Sequence, residues 1–458
     1  MPSEVLNYVK KAQIKRAPGR EGITNKILRH LTLPVIFQIT NIISNIFITG
    51  HFPESWKHAS VIPILKPGKS RGAADSYRPI SLLPVLSKLA ERLILSRLNN
   101  YLTTNKILIS QQHGFRPQLS TSHQLLRVVE YAKSGFKEKK YTGAVFLDIQ
   151  KAFDRVWHTG LLYKLIKINA PPQLILIIKS FLKNRSFAVR VNDTHSSTKQ
   201  IRAGAPQGAL LSPTLFNIYI NDIPKTRQTT VCLYADDTAI LTQSANKNCI
   251  THFLHRHLAE LEDWYKKWKI SINPEKTEAV FFSAGHGTHK PPPVYVQNHP
   301  VPWSKSVNYL GVTLDQHLSF KDHITKIDNK FRALACLYYP YFTRNSPLTI
   351  KNRLLIYTSI LRPVLLYASP VWGHATKTNI NRLETSQNVT IRKLTNSPWF
   401  VRNADLRFAL NLTTVRETIK KIATKFFTNL ESIDNRTLRK IEIYTPDPNF
   451  NRPRNILL

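Results

Sequence analysis

Two apolar runs that end on aspartates constrain the fold of this chain more than any other feature of its sequence. Residues 142–149 are apolar and partly β-branched and carry Asp148 near their end, and residues 231–241 are two apolar segments around Asp236 and Asp237. The first run predicts a strand and the second a β-hairpin with two carboxylates at its tip. If these strands are neighbours in one sheet, the three carboxylates converge.

Acidic residues are scarce in this chain, so acids at strand ends need a physical reason. The 458 residues include 65 Lys or Arg and 28 Asp or Glu, a formal charge of +37 that attracts polyanions such as nucleic acid. Adjacent carboxylates raise each other's pKa unless cations lie between them, and two Mg²⁺ ions would serve both this purpose and phosphoryl transfer. Taken alone, the pair Asp236 and Asp237 is equally compatible with a structural turn, where Asp is favoured.

Composition excludes several other classes of protein. Hydrophobic residues make up 42% of the chain and aromatic residues 10%, which predicts a folded core rather than disorder. Cys232, Cys249 and Cys336 are widely spaced, which argues against a disulfide framework and against structural zinc. Polar residues interrupt the apolar stretch at 31–53, so we expect no secretory signal, no transmembrane span and no membrane partner.

The spacing of apolar residues predicts the other elements. Helices are predicted over 33–47, over 81–98 with Glu91 on the polar side, from near residue 151, over 212–221 and over 258–268. Strands are predicted at 59–65, before a basic turn at 66–69, and at 187–191, 199–202 and 279–282. Residues 284–303 are rich in Gly, His and Pro and predict a long surface connection. Beyond residue 320 the pattern is helical, and 329–383 contains eight Lys or Arg and no Asp or Glu.

Three short motifs carry a resemblance to a known family. Residues 146–156 (FLDIQKAFDRV), 205–208 (APQG) and 234–237 (YADD) resemble, in this order, the A, B and C motifs of reverse transcriptases. Further blocks are similar to the reverse transcriptases of non-LTR (LINE-type) retrotransposons, and most similar to the jockey group: 17–23 (APGREGI), 77–82 (YRPISL), 113–116 (HGFR), 272–277 (INPEKT), 309–314 (YLGVTL), 361–367 (LRPVLLY) and 371–373 (VWG).

The resemblance covers about residues 17–420 and implies a fold and an activity. The implied fold class is α+β, a right-hand polymerase with fingers, a palm with an antiparallel sheet and a helical thumb. We expect fingers and palm in residues 1–318, and a basic helical thumb with a C-terminal extension in 319–458. The implied activity is RNA-directed DNA polymerisation, in which dNTPs are added to a DNA primer 3′-hydroxyl on an RNA template with two Mg²⁺ ions as cofactor.

The resemblance also implies a set of catalytic residues. Asp148, Asp236 and Asp237 would bind the metal ions, with Asp237 mainly shaping the site. Lys276 matches the lysine of the fourth palm motif, a candidate general acid for the departing pyrophosphate. Asp154 is expected to cap or brace the helix near residue 151 rather than to bind metal.

Substrate-binding residues are implied in the same way. Lys66 and Arg78 match fingers cations that hold the incoming triphosphate, where phosphoryl transfer needs positive charge beyond the metals. Phe153 matches a bulky position under the sugar that excludes a ribose 2′-hydroxyl, and Gln207 and Gly208 would lie against template and nucleotide. Without the resemblance, Phe153 would be interpreted as a core residue on a helix, and Lys66 and Arg78 as surface cations.

Two departures and two alternatives accompany this interpretation. Glu21, a longer acid of the same charge, stands where relatives usually carry Asp, and an endonuclease domain is expected elsewhere in the full-length element. One alternative is a catalytically inactive, decayed or domesticated RNA-binding protein. Another is an RNA-dependent RNA polymerase, which Phe153 disfavours. The expected location is intracellular, in the nucleus and in cytoplasmic ribonucleoprotein.

Overall fold

The computed structural model describes residues 2–285, 289–441, 443–448 and 450–458. Its α-helices are α1 (Pro2–Lys11), α2 (Asn25–Arg29), α3 (Leu33–Thr49), α4 (Val85–Thr104), α5 (Thr121–Lys137), α6 (His158–Lys167), α7 (Pro172–Leu182), α8 (Ser212–Tyr219), α9 (Lys247–Lys267), α10 (Lys321–Leu337), α11 (Ile350–Ile356), α12 (Arg362–Leu366), α13 (Ser369–Trp372), α14 (Lys377–Thr395), α15 (Asn403–Ala409), α16 (Val415–Ser432) and α17 (Arg436–Arg439). A π-helical turn, Tyr357–Leu361, joins α11 to α12.

The strands complete this description. They are β1 (His58–Leu65), β2 (Tyr77–Leu82), β3 (Tyr141–Leu147), β4 (Arg185–Val191), β5 (Thr194–His195), β6 (Lys199–Ile201), β7 (Thr229–Tyr234), β8 (Asp237–Ser244), β9 (Glu278–Phe282), β10 (Val294–Val296), β11 (His299–Val301), β12 (Trp303–Ser304), β13 (Ser306–Tyr309) and β14 (Val312–Asp315). The chain divides into two compact units, the first made of residues 2–115, 149–224 and 261–272 and the second of 116–148, 225–260 and 273–458.

The second unit contains a five-stranded sheet in the order β12-β9-β3-β8-β7. β3 is the central strand and pairs antiparallel with β8 and β9, while β7 and β8 form a hairpin. Residues 142–147 of β3 are all buried, because both faces of this strand are covered. Helix α9 approaches so closely that a Cβ atom at Gly143 would lie 2.3 Å from Ile250. The predicted strand and hairpin are therefore confirmed.

Beneath this sheet lies the hydrophobic core of the second unit. Helix α5 contributes Leu125 and Val129, the sheet contributes Phe146, and the C-terminal helices contribute residues such as Leu365 and Trp372. The helical character predicted beyond residue 320 is confirmed. The functional boundary predicted at residue 318 stays a prediction, and residues from both sides of it contribute to this one core.

The first unit contains another five-stranded sheet, in the order β2-β1-β4-β5 with β6 also paired to β4. β1 and β2 pair antiparallel, and residues 66–76 connect them, which confirms the strand predicted before a basic turn. β4 and β6 correspond to the strands predicted at 187–191 and 199–202, and β4 pairs antiparallel with both β5 and β6. In the described residues, no helix is both long and apolar enough to cross a membrane.

Three predicted segments differ from the structure. The helix predicted over 81–98 begins at Val85, because Ser81 and Leu82 belong to β2 and Pro84 precedes the helix. The predicted surface connection contains the hairpin β10–β11, whose turn residues Gln297 and Asn298 have φ of 48° and 62°, as a tight hairpin requires. Residues 286–288 of that connection lie outside the described residues.

The third difference concerns the helix predicted from near residue 151. The structure has turns there, and α6 begins only at His158. The carbonyl groups of Phe153 and Val156 accept hydrogen bonds from Ala205 (2.8 Å) and Gly204 (2.9 Å) instead of from a following helical turn. Hydrogen bonds from residues 204 and 205 therefore replace the local hydrogen bonds of the predicted helix.

Candidate active site

The three aspartates predicted to act together lie at one end of neighbouring strands in the second unit. Leu147 pairs with Thr238, so the next position in this register sets Asp148 opposite Asp237. In the hairpin, Tyr234 pairs with Asp237 and leaves Ala235 and Asp236 as a two-residue turn. The predicted convergence of the three carboxylates is thus present, whereas their catalytic role stays a prediction.

The turn between β7 and β8 is strained. Ala235 has φ of 56°, a left-handed conformation that costs a residue with a Cβ atom on the order of 1 kcal/mol. Two-residue hairpin turns need such a conformation, which Gly or Asn usually supplies. The neighbouring strands hold Ala235 in this conformation, and Asp236 follows at the tip.

The local electrostatics are unfavourable for three ionised carboxylates. Desolvation raises the pKa of Asp236, and the nearby Asp148 raises it further. Desolvation, then Asp236 and Asp148, raise the pKa of Asp237 to about 6. Within the part of the chain that the structure describes, no lysine, arginine or histidine forms an ion pair with any of the three. Among the described residues, no ion pair therefore offsets the negative charge of these carboxylates.

This donor set fits divalent metal ions whose coordination is completed by substrate. Ionised carboxylates only accept, and Mg²⁺ is typically bound by one or two of them together with substrate phosphates. Among the described residues, no group of three or more His, Cys, Asp or Glu side chains is arranged to hold a metal by itself. A site of shared coordination, rather than a closed protein cage, is what these aspartates can offer.

Lys276 lies at the same end of the sheet as Asp148. It closes a 3-10 turn, Pro274–Lys276, just before β9, and its side chain is exposed. The backbone N–H of Asn273 donates to the carbonyl of Asp148 at 2.8 Å, which attaches this turn to the end of β3. The sequence-predicted lysine and aspartate are therefore brought together within the second unit.

The predicted substrate residues lie in the first unit, where Phe153 is half-buried among aromatic rings. Its ring stacks on Phe216 with centroids 4.9 Å apart and meets Phe115 edge-on at 5.9 Å. Asp154 was expected to brace a helix, and that expectation is wrong because no helix forms there. Its carboxylate instead accepts a hydrogen bond of 2.9 Å from the side-chain amide of Gln207.

Gln207 and Gly208 lie against strand β2. The carbonyl of Gln207 accepts from the backbone N–H of Ser81 at 3.0 Å. Gly208 has φ of 112°, and a Cβ atom there would lie 2.7 Å from the carbonyl oxygen of Ser81. Only glycine permits so close an approach in this conformation.

A buried glutamate that the sequence analysis missed supports the same loop. Glu91 was predicted on the polar side of its helix, but it is fully buried. Its carboxylate accepts from the backbone N–H groups of Leu210 (2.6 Å) and Leu211 (3.4 Å) and from the hydroxyl of Ser87. Burial raises the pKa of Glu91, and the positive charge of Arg185 opposes this. Glu91 lies three residues before Ile94 and seven before Leu98, so the three share one face of the helix. This spacing was the sequence signal from which its burial could have been predicted.

Lys66 and Arg78 lie in the hairpin of β1 and β2. Arg78 is exposed opposite Ile64, and Lys66 follows the end of β1, where its backbone N–H donates to Ser76. The alternation of strands sets both cations on one face of the hairpin. The ammonium of Lys66 donates to the carbonyl of Asp75 at 2.8 Å. These contacts hold Lys66 against the connection between β1 and β2. The charge of Arg78 is available to an anion.

Glu21, the departure from the family pattern, has a structural contact. Its carboxylate accepts from the backbone N–H of Val85 at 3.0 Å, at the first turn of α4. An acid there satisfies one of the unpaired N–H groups of the helix and complements its dipole. The longer side chain therefore anchors the segment before α2 to α4.

Comparisons with known proteins agree on one family. The model of the family "Reverse transcriptase (RNA-dependent DNA polymerase)" matches residues 64–314. The RNA-directed DNA polymerase from mobile element jockey of Drosophila melanogaster is 38% identical over 96% of this chain and 48% of its own length. The same polymerase of Drosophila funebris is 37% identical over 96% of this chain and 49% of its own length. The chain thus spans about half the length of these relatives.

Among solved structures, the telomerase of Candida tropicalis in complex with a fragment of telomeric RNA aligns with 89% of this chain and 68% of its own. The sequence identity is 13% and the TM-score 0.40.

Proposed function

Because this chain belongs to the reverse transcriptase family, we propose that it is the RNA-directed DNA polymerase of a jockey-type non-LTR retrotransposon. It would add dNTPs to a primer 3′-hydroxyl on an RNA template. The observation that carries this proposal is the meeting of Asp148, Asp236 and Asp237 at one end of adjacent strands, in motifs of the family's order.

Two predictions from the sequence follow directly from family membership and are confirmed. One is the resemblance to non-LTR elements, since the jockey polymerases match nearly the whole chain. The other is the α+β right-hand polymerase fold, since the family match covers the antiparallel sheet around β3.

In the proposed reaction, Asp148 and Asp236 would hold two Mg²⁺ ions, and Asp237 would shape the site. When bound, such ions favour deprotonation of an attacking hydroxyl and neutralise charge on the leaving oxygen. The three carboxylates would place this chemistry at the end of β3 and at the β7–β8 turn. Lys276 donates a proton from its ammonium group to the departing pyrophosphate.

The proposed contacts to the incoming nucleotide come from the substrate-binding residues that the resemblance implies. Lys66 and Arg78 bind the triphosphate, whose negative charge they offset. Phe153 excludes a ribose 2′-hydroxyl, because its ring is held in place by Phe115 and Phe216. Gln207, braced by Asp154, and Gly208 lie along template and nucleotide.

The proposal extends to the partners and location of the full-length element. An RNA template and a DNA primer suit a formal charge of +37. We propose that the element's endonuclease lies in another part of the full-length protein. The polymerase would act in the nucleus and travel in cytoplasmic ribonucleoprotein.

The deciding experiment measures dNTP incorporation on a primed RNA template with Mg²⁺. We expect Asp148→Ala and Asp236→Asn to lower incorporation by at least about 100-fold, because each removes a group that stabilises the transition state. Asp193→Asn is the matched control, since Asp193 is fully exposed on the β4–β5 turn.

Either of two results contradicts the proposal. Equal extension by parent and aspartate variants would refute the assigned site. If neither the parent nor the variants incorporate dNTPs, although the chain is folded and binds RNA, the catalytically inactive alternative is favoured.

A further inference from the structure

An exposed aromatic surface in the second unit takes no part in the proposed reaction. Trp399 is 86% exposed and Phe400 68%, with their ring centroids 6.0 Å apart in an edge-on arrangement. Tyr339 and Tyr341, just after α10, are about half exposed. We call Tyr339, Tyr341, Lys393, Trp399 and Phe400 the aromatic surface.

Specific hydrogen bonds hold the loop that carries Trp399 and Phe400. The guanidinium of Arg392, in the last turn of α14, donates to the carbonyl of Val401 and to the side chain of Asn403, both at 2.8 Å. It also donates to the carbonyl of Pro398. The loop from 397 to 402 is thus fixed from both sides, and this fixed backbone presents Trp399 and Phe400 outward.

Two further contacts join the segment after α10 to the end of α14, which directly precedes this loop. The ammonium of Lys393 lies 5.1 Å from the centroid of the Tyr339 ring, a distance typical of cation–π interaction. The buried guanidinium of Arg353 donates to the carbonyls of Ser346 (3.1 Å) and Leu394 (3.3 Å). The segment after α10 and the end of α14 therefore form one continuous surface.

The charge in this part of the chain is mostly positive, with the exposed Asp405 following three residues after Arg402. Residues 329–402 contain eleven Lys or Arg and a single acid, Glu384. That acid is already engaged, since its carboxylate lies 3.5 Å from Arg407 and accepts from the N–H of Val415 at 2.7 Å. Lys393 and Arg402, beside the rings, are exposed. A polyanion is the partner that this charge fits.

We propose that the aromatic surface binds single-stranded RNA, with unpaired bases stacked on Trp399 and Phe400 and phosphates bound by Lys393 and Arg402. Exposed aromatic rings beside cations are what unpaired nucleic acid requires, because every base has a face that can stack. A duplex hides those faces between its own base pairs. The choice of RNA rests on the proposed function, which supplies an RNA template that is unpaired before it is copied.

The test measures binding without catalysis. A fluorescently labelled 15-nucleotide single-stranded RNA is titrated with the full chain in EDTA, and anisotropy gives the affinity. We expect Trp399→Ala and Phe400→Ala to weaken binding between about fivefold and about 100-fold each, the range for loss of one stacked base. Trp399→Phe should retain most of the affinity. Tyr295→Ala is the matched control, because that half-exposed ring lies in a segment, 291–301, without Lys or Arg.

Two further experiments separate the contribution of base stacking to RNA binding from the contribution of charge. An RNA that lacks bases should bind the parent and Trp399→Ala equally, since no base remains to stack. Trp399→Ala should leave the slope of log affinity against log salt unchanged, whereas Lys393→Gln combined with Arg402→Gln should reduce it by about two.

Several outcomes would overturn the inference. One is parental affinity of both alanine variants for single-stranded RNA. Another is a preference for single-stranded DNA over RNA, and a third is a Trp399→Ala effect on light-scattering mass alone, which would identify a protein interface. The proposed function is judged separately, since loss of RNA binding here leaves the Asp148→Ala comparison on a short primed template intact.

Discussion

At the scale of single residues, Phe153 illustrates how packing fixes a side chain for which we propose a role in sugar selectivity. Its ring lies between Phe216, on α8, and Phe115, so neither its position nor its tilt is free. The backbone carbonyl of Phe153 is bonded to Ala205, two residues before Gln207. A ring held in this way can exclude a hydroxyl group by contact, because it has no space to withdraw into.

Substitution of Phe153 by valine should therefore relax sugar selectivity. We expect Phe153→Val to raise the ratio of kcat/KM for ribonucleotides over deoxyribonucleotides by at least about tenfold, a range that a changed pocket contour can supply. Single-nucleotide incorporation with dNTPs and rNTPs measures this ratio. Phe181→Leu, a core change elsewhere in the first unit, is the control. An unchanged ratio would remove Phe153 from the selectivity role.

At the scale of elements, helix α4 and the loop at 204–211 act as one assembly. The buried carboxylate of Glu91 pairs with two consecutive backbone N–H groups of the loop, at Leu210 and Leu211. Ser81, at the end of β2, holds the same loop at Gln207. A helix and a strand thus determine together where Gln207 and Gly208 lie.

Removal of the Glu91 carboxylate should therefore affect nucleotide binding. We expect Glu91→Leu to raise KM for dNTPs between about fivefold and about 100-fold, because two buried N–H groups lose their partner. Glu91→Gln, which still carries an acceptor oxygen, should recover much of the loss. Asn99→Ala, on the exposed side of α4, serves as control. Steady-state kinetics would contradict this positioning role if KM stayed constant while only kcat fell in proportion to unfolded protein.

Helix α10 carries a histidine that should make the second unit sensitive to acid. His323 is buried, and its Nδ1 accepts from the backbone N–H of Thr313 at 3.3 Å. Burial lowers the pKa of His323 to about 4, from an ordinary value of 6.5. Between these values the unfolded state binds more protons than the folded state. His323 therefore contributes a decrease in the free energy of unfolding as the pH drops from 6.5 towards 4.

Replacement by a neutral acceptor should remove this part of the acid sensitivity. Between pH 7 and pH 4, we expect the free energy of unfolding of His323→Gln to fall by up to about 3 kcal/mol less than that of the parent. This difference is the linkage energy of such a pKa shift. Urea denaturation at a series of pH values measures the difference. His195→Gln, at an exposed position on β5, should follow the parent. Parallel curves for parent and His323→Gln would show that this histidine does not contribute.

At the scale of the whole molecule, the C-terminal segment is attached to the core helix beneath the central sheet. Arg452 (3% exposed) donates to the carboxylate of Glu130 (4% exposed) on α5 from Nε at 2.9 Å and Nη2 at 2.6 Å. The hydroxyl of Tyr444 donates to the other carboxylate oxygen at 2.7 Å. Burial raises the pKa of Glu130, and its partners oppose this. The second unit therefore depends on residues near 450 as well as on its sheet.

Loss of one partner of this buried ion pair should be costly. We expect Arg452→Met to lower the free energy of unfolding by about 3–5 kcal/mol, because Glu130 stays buried without its cation. The double variant with Glu130→Met should recover most of that loss. Arg439→Met, which breaks the exposed pair with Asp434, should change stability by less than about 1 kcal/mol. Equal effects of the two single variants in urea denaturation would contradict this account.

Local patterns in the sequence determined the elements that carry the chemistry. The apolar runs around the three aspartates predicted the strands β3, β7 and β8. A strand that is covered on both faces typically has an uninterrupted apolar sequence. The motif order was sufficient to identify the family and its fold. Where local and distant bonding compete, as at residues 151–157, the sequence pattern predicted a helix that tertiary hydrogen bonds replace.

Tertiary structure alone decided which distant groups support the site and the core. Glu91 lies 119 residues before Leu210, and Glu130 lies 322 residues before Arg452. Glu91 was predicted to face solvent. The spacing of residues in the sequence could identify neither the partner of Glu91 nor the partner of Glu130. The physical reason is that hydrophobic periodicity reports only which face of an element is buried. The partner of a buried charge depends on how the chain closes around it, and no local pattern records that.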